Sequence, residues 1–523
     1  VTPRRTLRAA AACLLAALAV SGCGSRGPGS DAAGDAGAFT VLAGSELRDL
    51  EPALVKAARD AGVRLKLSYA GTLDIVERAN DGEKFDAILP PNGAYPALAL
   101  ATKPVAREKL FYSRVALGVK AGKLAELGWD RHAPTWADIA RSAGAGQLRY
   151  AMTNPTSSNS GMSALFAVAS AVAGKTEDLD AREVNGKVLT AFLSGQKLTA
   201  GSSGWLAEAF VKDPSALDAM VNYEAVLLRT NEKLAGAEKL VLVYPPDGVI
   251  SADYPLMLLN AARRADYDKL VGAFRAPAFQ SQAVAGAFLR PSVPGVAPAT
   301  RLSVDPVAEL TFPNSLEVID AVLSAYQGEW RRPSTSIFVL DVSGSMEGGR
   351  LDALKAALAA LAGADARSAS ARYARFQNRE RVVLVAFSSG VQDAVWVNFD
   401  TQSLAAGRAK VLDYAERLSA DGGTAIYSAV SQAEALAAQE RARAPDRFVS
   451  IVLLTDGENN EGMGLAQFRQ RQAGAVAAPV FPILFGESDV HDMEALAQAT
   501  GGRVFDGRKA ALSLVFKDIR GYQ

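Results

Sequence analysis

The chain has 523 residues, with 56 basic and 56 acidic side chains and so no formal net charge. That length calls for more than one domain. The charge balance argues against a nucleic-acid partner, which asks for a basic surface. Two cysteines and two histidines leave little material for a disulfide framework or a histidine-based catalytic site.

Arg4, Arg5 and Arg8 precede an apolar run over 9–20. The run is short for a bilayer span and suits a signal-peptide core. Val20-Ser21-Gly22-Cys23 follows and resembles a bacterial lipobox, which implies cleavage before Cys23 and lipidation of that residue. Residues 1–22 are then a leader, and 23–37 a lipidated cysteine with a flexible Gly-, Ala-, Ser- and Asp-rich tether. Cys13 would leave with the leader, so large cores rather than disulfides must stabilise the rest. No other stretch reaches about 18 uninterrupted apolar residues. The expected location is the outer side of the cytoplasmic membrane, at the cell surface or in the periplasm.

Residues 39–45 read as a strand running into a polar turn, and 46–61 as a helix with Leu47, Leu50, Leu54 and Val55 at helical spacing. Residues 63–69 form the next strand, Gly71-Thr72 open another helix, and 85–89 form a third strand stopped by Pro90-Pro91. Strand–helix alternation of this kind predicts a parallel α/β sheet. Ser45, Thr72 and Ser158-Asn159-Ser160-Gly161 fall where strands give way to helix starts, which present free N–H groups to an anion. Asn154, Tyr223 and Ser203 are further candidates for ligand contact. Glu224, beside Tyr223, does not suit a simple oxyanion pocket.

In family order, VLAGSEL, SYAGTLDIVE, KFDAILPPN, LFYSRVALGVK, TWADIA, MTNPTSSNSG, VNYEAVLL and VYPPDGVISADYPL resemble the type II periplasmic solute-binding proteins, near the sulfate and molybdate binders. The resemblance covers 38–312. It implies two α/β lobes that close on a small anionic or polar solute in the cleft between them.

Residues 316–326 read as a last helix, and 313–332 as a short join that brings the flanking domains into contact. Apolar Ile337-Phe338-Val339-Leu340 then predicts a buried parallel strand. It ends at Asp341-Val342-Ser343-Gly344-Ser345-Met346, where alternate side chains put one carboxylate and two hydroxyls on the same side. That is part of a hard-cation site. Thr424, after Asp421-Gly422-Gly423, and Asp456, after the apolar strand over 448–454, complete a set that meets at the carboxyl ends of the strands. Ser428, on the next helix, lies outside the set. Residues 367–381, basic and dotted with aromatics, read as a solvated helix face.

This DxSGSM–GGT–TDG series resembles the metal-ion-dependent adhesion site (MIDAS) of von Willebrand factor A (VWA) domains, over 333–523. The resemblance implies a Rossmann-like fold with a mainly parallel sheet. It also implies a divalent cation, Mg²⁺ first with Mn²⁺ or Ca²⁺ as alternatives. Ser343, Ser345 and Thr424 would touch the ion, while Asp341 and Asp456 act through water or hydroxyls. An open coordination position would accept a carboxylate from a protein partner. No nucleophile–base pair stands nearby; His132 and His491 read as ordinary surface or loop residues. The expectation is therefore a lipid-anchored binding protein rather than an enzyme. The alternative is the solute receptor of an ABC-type transporter with the VWA domain as an accessory dock.

Overall fold

The computed structural model describes residues 37–364, 368–472, 477–508 and 511–523. The expected leader, Cys23 and nearly all of the expected tether lie outside those residues. Three sheets account for the architecture. In the first, strands run in the order Leu65–Ala70, Phe39–Gly44, Ala87–Leu89, Pro255–Leu258, Ala106–Lys109. The first three are parallel, and Pro255–Leu258 returns antiparallel between its neighbours. The chain thus leaves this lobe after Lys109 and re-enters it at Pro255.

The second lobe is built on the long strand Phe111–Lys120. It pairs antiparallel with Ala219–Tyr223, Leu240–Val243 and the short segments Ser251–Ala252 and Arg290–Pro291. Tyr150–Thr153 and Gln196–Ala200 extend the sheet in parallel. Helix Asn159–Ala173 is buried over most of its length, which fits its nearly all-apolar and small-residue composition.

The third sheet runs Val395–Phe399, Glu380–Phe387, Ser334–Asp341, Phe448–Thr455, Val480–Leu484, Phe505–Asp506. Only Val395–Phe399 is antiparallel. All eight residues of Ser334–Asp341 are buried, as expected for a central strand covered on both faces.

Two sequence expectations change. The helix expected over 46–61 begins as a tighter 3₁₀ turn at Ser45–Leu50 and becomes α-helical at Glu51–Asp60. Pro52 has no N–H to give and a fixed φ, so it belongs in the first turn of the α-helix and sets that boundary. The basic segment over 367–381 is not a solvated face. Tyr373 and Phe376 are buried, and the short helix Ala369–Ala374 packs against Thr72–Asn80 of the first lobe. Ser368 Oγ donates to Glu77 Oε1 at 2.6 Å, and Ser370 donates to the other oxygen. Arg372 and Tyr373 bond Asp320 on helix Leu316–Ala325 at 3.0 and 2.5 Å.

This seam continues through the C-terminal helix Leu512–Arg520. Lys517 Nζ sits 2.6 Å from Asp74 Oδ1 and 3.4 Å from Glu77 Oε2, both on the first lobe. Tyr522 stacks on Trp205 of the second lobe with ring centroids 6.2 Å apart. Ala200, Leu206 and Phe210 of that lobe belong to the same apolar cluster as Phe338, Phe516 and Tyr522. The third domain therefore rests on both lobes and shares a core with one of them.

Candidate functional sites

Asp341 ends its strand, and Asp456 follows the neighbouring parallel strand, paired Leu340 to Leu454. Parallel pairing sets both tips at one sheet edge. Asp341 Oδ1 accepts from the Ser343 N–H at 2.8 Å, and Oδ2 accepts from Thr455 Oγ1 at 2.7 Å. The carboxylate thus ties the two tips together. Ser343 and Ser345 hydroxyls are 3.1 Å apart, and Ser345 Oγ donates to Asp456 Oδ1 at 2.7 Å. A Cβ placed on Gly457 would lie 3.7 Å from Ser345 Oγ and 3.9 Å from Thr424 Oγ1. The missing side chain leaves room between these hydroxyls. Burial pushes the Asp341 carboxyl above its usual range; hydrogen bonds from Ser343 and Thr455 oppose this, and the nearby Asp456 charge adds to it. Hydroxyls and carboxylates gathered this way form a donor set that fits a hard divalent ion.

Two further residues shape this edge. Arg350 Nη1 donates to Asp456 Oδ2 at 2.5 Å. Asn460 Oδ1 accepts from the Thr424 N–H at 2.7 Å. Both lie within a few residues of the motif, yet neither belongs to the pattern that sequence spacing reveals. Ser428 is not an inert neighbour: its Oγ accepts from Met463 N–H at 3.0 Å and so steadies the loop that carries Asn460.

The candidate solute contacts form a closed interlobe surface. A Cβ on Gly71 would fall 1.9 Å from the Ser157 carbonyl oxygen, so only glycine lets the lobes approach this closely. Thr72, Ser158, Asn159, Ser160, Gly161 and Tyr223 are all buried, and Ser45 is half-buried. Asn159 Nδ2 donates to Tyr223 Oη at 2.9 Å and Ser163 Oγ at 3.1 Å. Ser160 Oγ sits 2.7 Å from Ser203 Oγ and 2.9 Å from Thr153 Oγ1. The Gly161 N–H is given to Thr153 Oγ1, so it is spent on local packing.

Asn154 points elsewhere. Its Oδ1 accepts from the Thr156 backbone and hydroxyl, and its Nδ2 faces the Arg520 carbonyl oxygen at 3.4 Å. It belongs to the seam with the third domain. Glu224 is also accounted for internally: Arg290 holds it bidentately at 2.6 and 2.8 Å, and Tyr244 Oη donates at 2.6 Å. Glu46, next to Ser45, is the residue that the sequence reading passed over. Burial pushes its carboxyl up to about 7, against the opposing effects of its own backbone N–H, Arg229 and Tyr254.

The fold defines the class: a periplasmic-binding-protein-like domain followed by a VWA-like domain, both α/β. Residues 39–281 match the family model of the bacterial extracellular solute-binding proteins. Residues 336–458 match that of the von Willebrand factor type A domain. An uncharacterized protein of Synechocystis sp. is 34% identical over 133 residues, which are 25% of this chain and 27% of that relative. Among solved structures, a von Willebrand factor type A protein from Catenulispora acidiphila is 24% identical. It covers 36% of this chain and 42% of its own, with a TM-score of 0.29. A periplasmic binding protein from Actinobacillus pleuropneumoniae, with fructose-6-phosphate bound, is 12% identical. It covers 55% of this chain and 97% of its own, with a TM-score of 0.43. The sulfate-binding protein of Mycobacterium tuberculosis is 20% identical over 50% of this chain and 88% of its own, with a TM-score of 0.36. The chain thus spans about a quarter of the curated relative's length. No helix among the described residues is long and apolar enough to cross a membrane.

Proposed function

We propose that this is an exported, lipid-anchored binding protein with two recognition sites. One is a small-solute site between the lobes. The other is a divalent-ion site at the VWA edge, where the ion offers an open coordination position to a carboxylate of a protein partner. The observation that carries the second site is the hydrogen-bonded series Ser343, Ser345 and Asp456, with the Ser345 and Thr424 hydroxyls beside the side-chain position that Gly457 leaves empty. The seam favours a sensing or assembly role over simple delivery to a transporter. The VWA domain touches both lobes, so a change in cleft closure would disturb its footing. The test is capture of partners from the extracytoplasmic fraction on the immobilised chain, with Mg²⁺ or with EDTA. Capture indifferent to EDTA would exclude ion-mediated adhesion.

The anchor has its own test. Cys23→Ser removes the thiol that a lipobox lipidates, so the variant is expected to leave the membrane pellet for the soluble fraction. A variant as membrane-bound as the parent would rule out lipid anchoring at this residue.

Arg350 bears on ion affinity. Its guanidinium lies 2.5 Å from the Asp456 carboxylate, so a cation at this edge must share or displace that contact. Arg350→Gln is expected to tighten Mg²⁺ binding about tenfold, the order of effect of one nearby charge in a half-screened site. Calorimetric titration reads this directly. Weaker binding would mean that Arg350 positions Asp456 for the ion instead of competing with it.

A further inference from the structure

A cavity opens beside the crossover between the lobes and shares no lining residue with the candidate solute contacts. Strand Phe111–Lys120 sends alternate side chains to opposite faces. Phe111 meets Tyr254 with ring centroids 5.0 Å apart, and Ser113 Oγ accepts from the Ala225 N–H at 3.3 Å, so these two turn inward. Tyr112 and Arg114, on the other face, are half-buried. With Arg107 and Lys109, which precede the crossover on the first lobe, they line a cavity of about 610 Å³. Small-molecule sites occupy roughly 300–1,000 Å³. Ile250, Leu310 and Phe312 supply an apolar wall.

The lining carries six charged side chains, Arg107, Lys109, Arg114 and Arg290 against Asp253 and Glu309. Asp253 is shared between two cations: its Oδ2 lies 3.0 Å from Arg107 Nη2 and 3.2 Å from Lys109 Nζ, and its Oδ1 accepts from the Gly93 N–H at 2.9 Å. Both Glu309 oxygens accept from Ser251 Oγ, at 3.0 and 2.8 Å, and Arg114 Nε approaches one of them only to 3.4 Å. Arg290 is matched by Glu224, which lies fully buried behind the lining. Glu108, also on the strand Ala106–Lys109, pairs with Arg275 instead. With Glu224 included, four cations meet three carboxylates. Arg114 Nη1 is buried and has no hydrogen-bond partner among the described residues. Folded chains pair nearly all such groups, and a guanidinium has donors only. The missing partner is therefore an acceptor, and the surplus cation favours a negative one.

We propose that this cavity binds a small organic anion, a carboxylate or phosphate ester whose acid group meets Arg114 and whose apolar body lies along Leu310 and Phe312. The site is separate from the solute site between the lobes and stands whether or not that site binds. Because the cavity spans the crossover, its occupant rests against both lobes.

The test uses the full chain, with benzoate and phenyl phosphate set against benzamide and benzylammonium as uncharged and cationic counterparts. Titration calorimetry and melting temperature are the readouts. At least one of the two acids is expected to bind and to raise the melting temperature, with benzamide and benzylammonium silent. Arg114→Gln should weaken that acid at least tenfold. Glu309→Gln, which removes the carboxylate beside Arg114, should tighten it several-fold, and it reads the same cavity if the Arg114 variant folds poorly. Benzamide or benzylammonium binding as tightly as the acids would overturn the anionic class. An acid bound equally well by the parent and by both variants would be held elsewhere, which would overturn the site. Neither heat nor a melting shift with either acid would overturn the proposal outright.

Discussion

Glu380→Ala is expected to destabilise the protein by about 3–5 kcal/mol, the usual result of removing one partner from a buried ion cluster. Glu380 opens its strand at the seam between the domains. Its Oε1 accepts from Arg520 at 2.5 Å and from Arg331, and its Oε2 accepts from the Gln377 N–H at 3.1 Å. The three side chains are 2%, 6% and 8% exposed for Glu380, Arg520 and Arg331. Burial alone would push the Glu380 carboxyl up; Arg520 and then Arg331 overcome it and hold it below the usual range. Without Glu380, two buried guanidiniums lose the carboxylate they share. They are also anchored to distant chain segments: Arg331 to the Gln523 carbonyl, and Arg520 to that of Ala374. The loss should therefore appear as a lower denaturation midpoint for the whole molecule. Replacing Glu380, Arg331 and Arg520 together by Met should recover much of it, because apolar side chains leave no orphan charge. A single-variant loss below about 1 kcal/mol would mean that water reaches the cluster.

What the sequence disclosed and what it concealed have different physical origins. Buried strands announce themselves locally: Ile337 to Leu340 and the run over 448–454 are apolar because both faces are covered, and their ends place Asp341 and Asp456. The motif needs no knowledge of the rest of the chain. The seam does. Nothing local to Ser368, Ser370 or Arg372 reveals that Glu77 and Asp320 will meet them, since the contacts span 291, 293 and 52 positions. Asn154 was misdirected for the same reason. A polar residue after a strand reads as facing the cleft, but here the C-terminal helix occupies that side. Glu46 could have been found from its place beside Ser45 at the first strand–helix junction. What no spacing shows is that its carboxyl is buried and pushed up by that burial.

Asp341→Ala and Asp456→Ala are each expected to weaken Mg²⁺ binding about 10–100-fold, the range seen when groups supporting metal ligands are lost. The two act differently. Asp341 joins the Ser343 N–H to the Thr455 hydroxyl, so its loss frees the loop that carries both serines. Asp456 holds Ser345 and Arg350, so its loss releases one hydroxyl and a competing guanidinium together. Ion-free stability should respond much less than ion affinity. Burial and the Asp456 charge already disfavour an ionised Asp341, and its removal relieves that opposition while it breaks two hydrogen bonds. Thermal melts separate these effects. At a hundredfold excess over the parent dissociation constant, Mg²⁺ stabilises the parent by about 2.7 kcal/mol. A hundredfold weaker variant at the same concentration keeps only about 0.4 kcal/mol. EDTA should bring parent and variants close together. Ser513, exposed on the C-terminal helix, is a matched control; Ser428 is not, because it positions the Asn460 loop. If Mg²⁺ raised the melting temperature of both aspartate variants as much as that of the parent, the ion would be binding somewhere other than this edge. Carboxylate capture through it would then lose its physical basis.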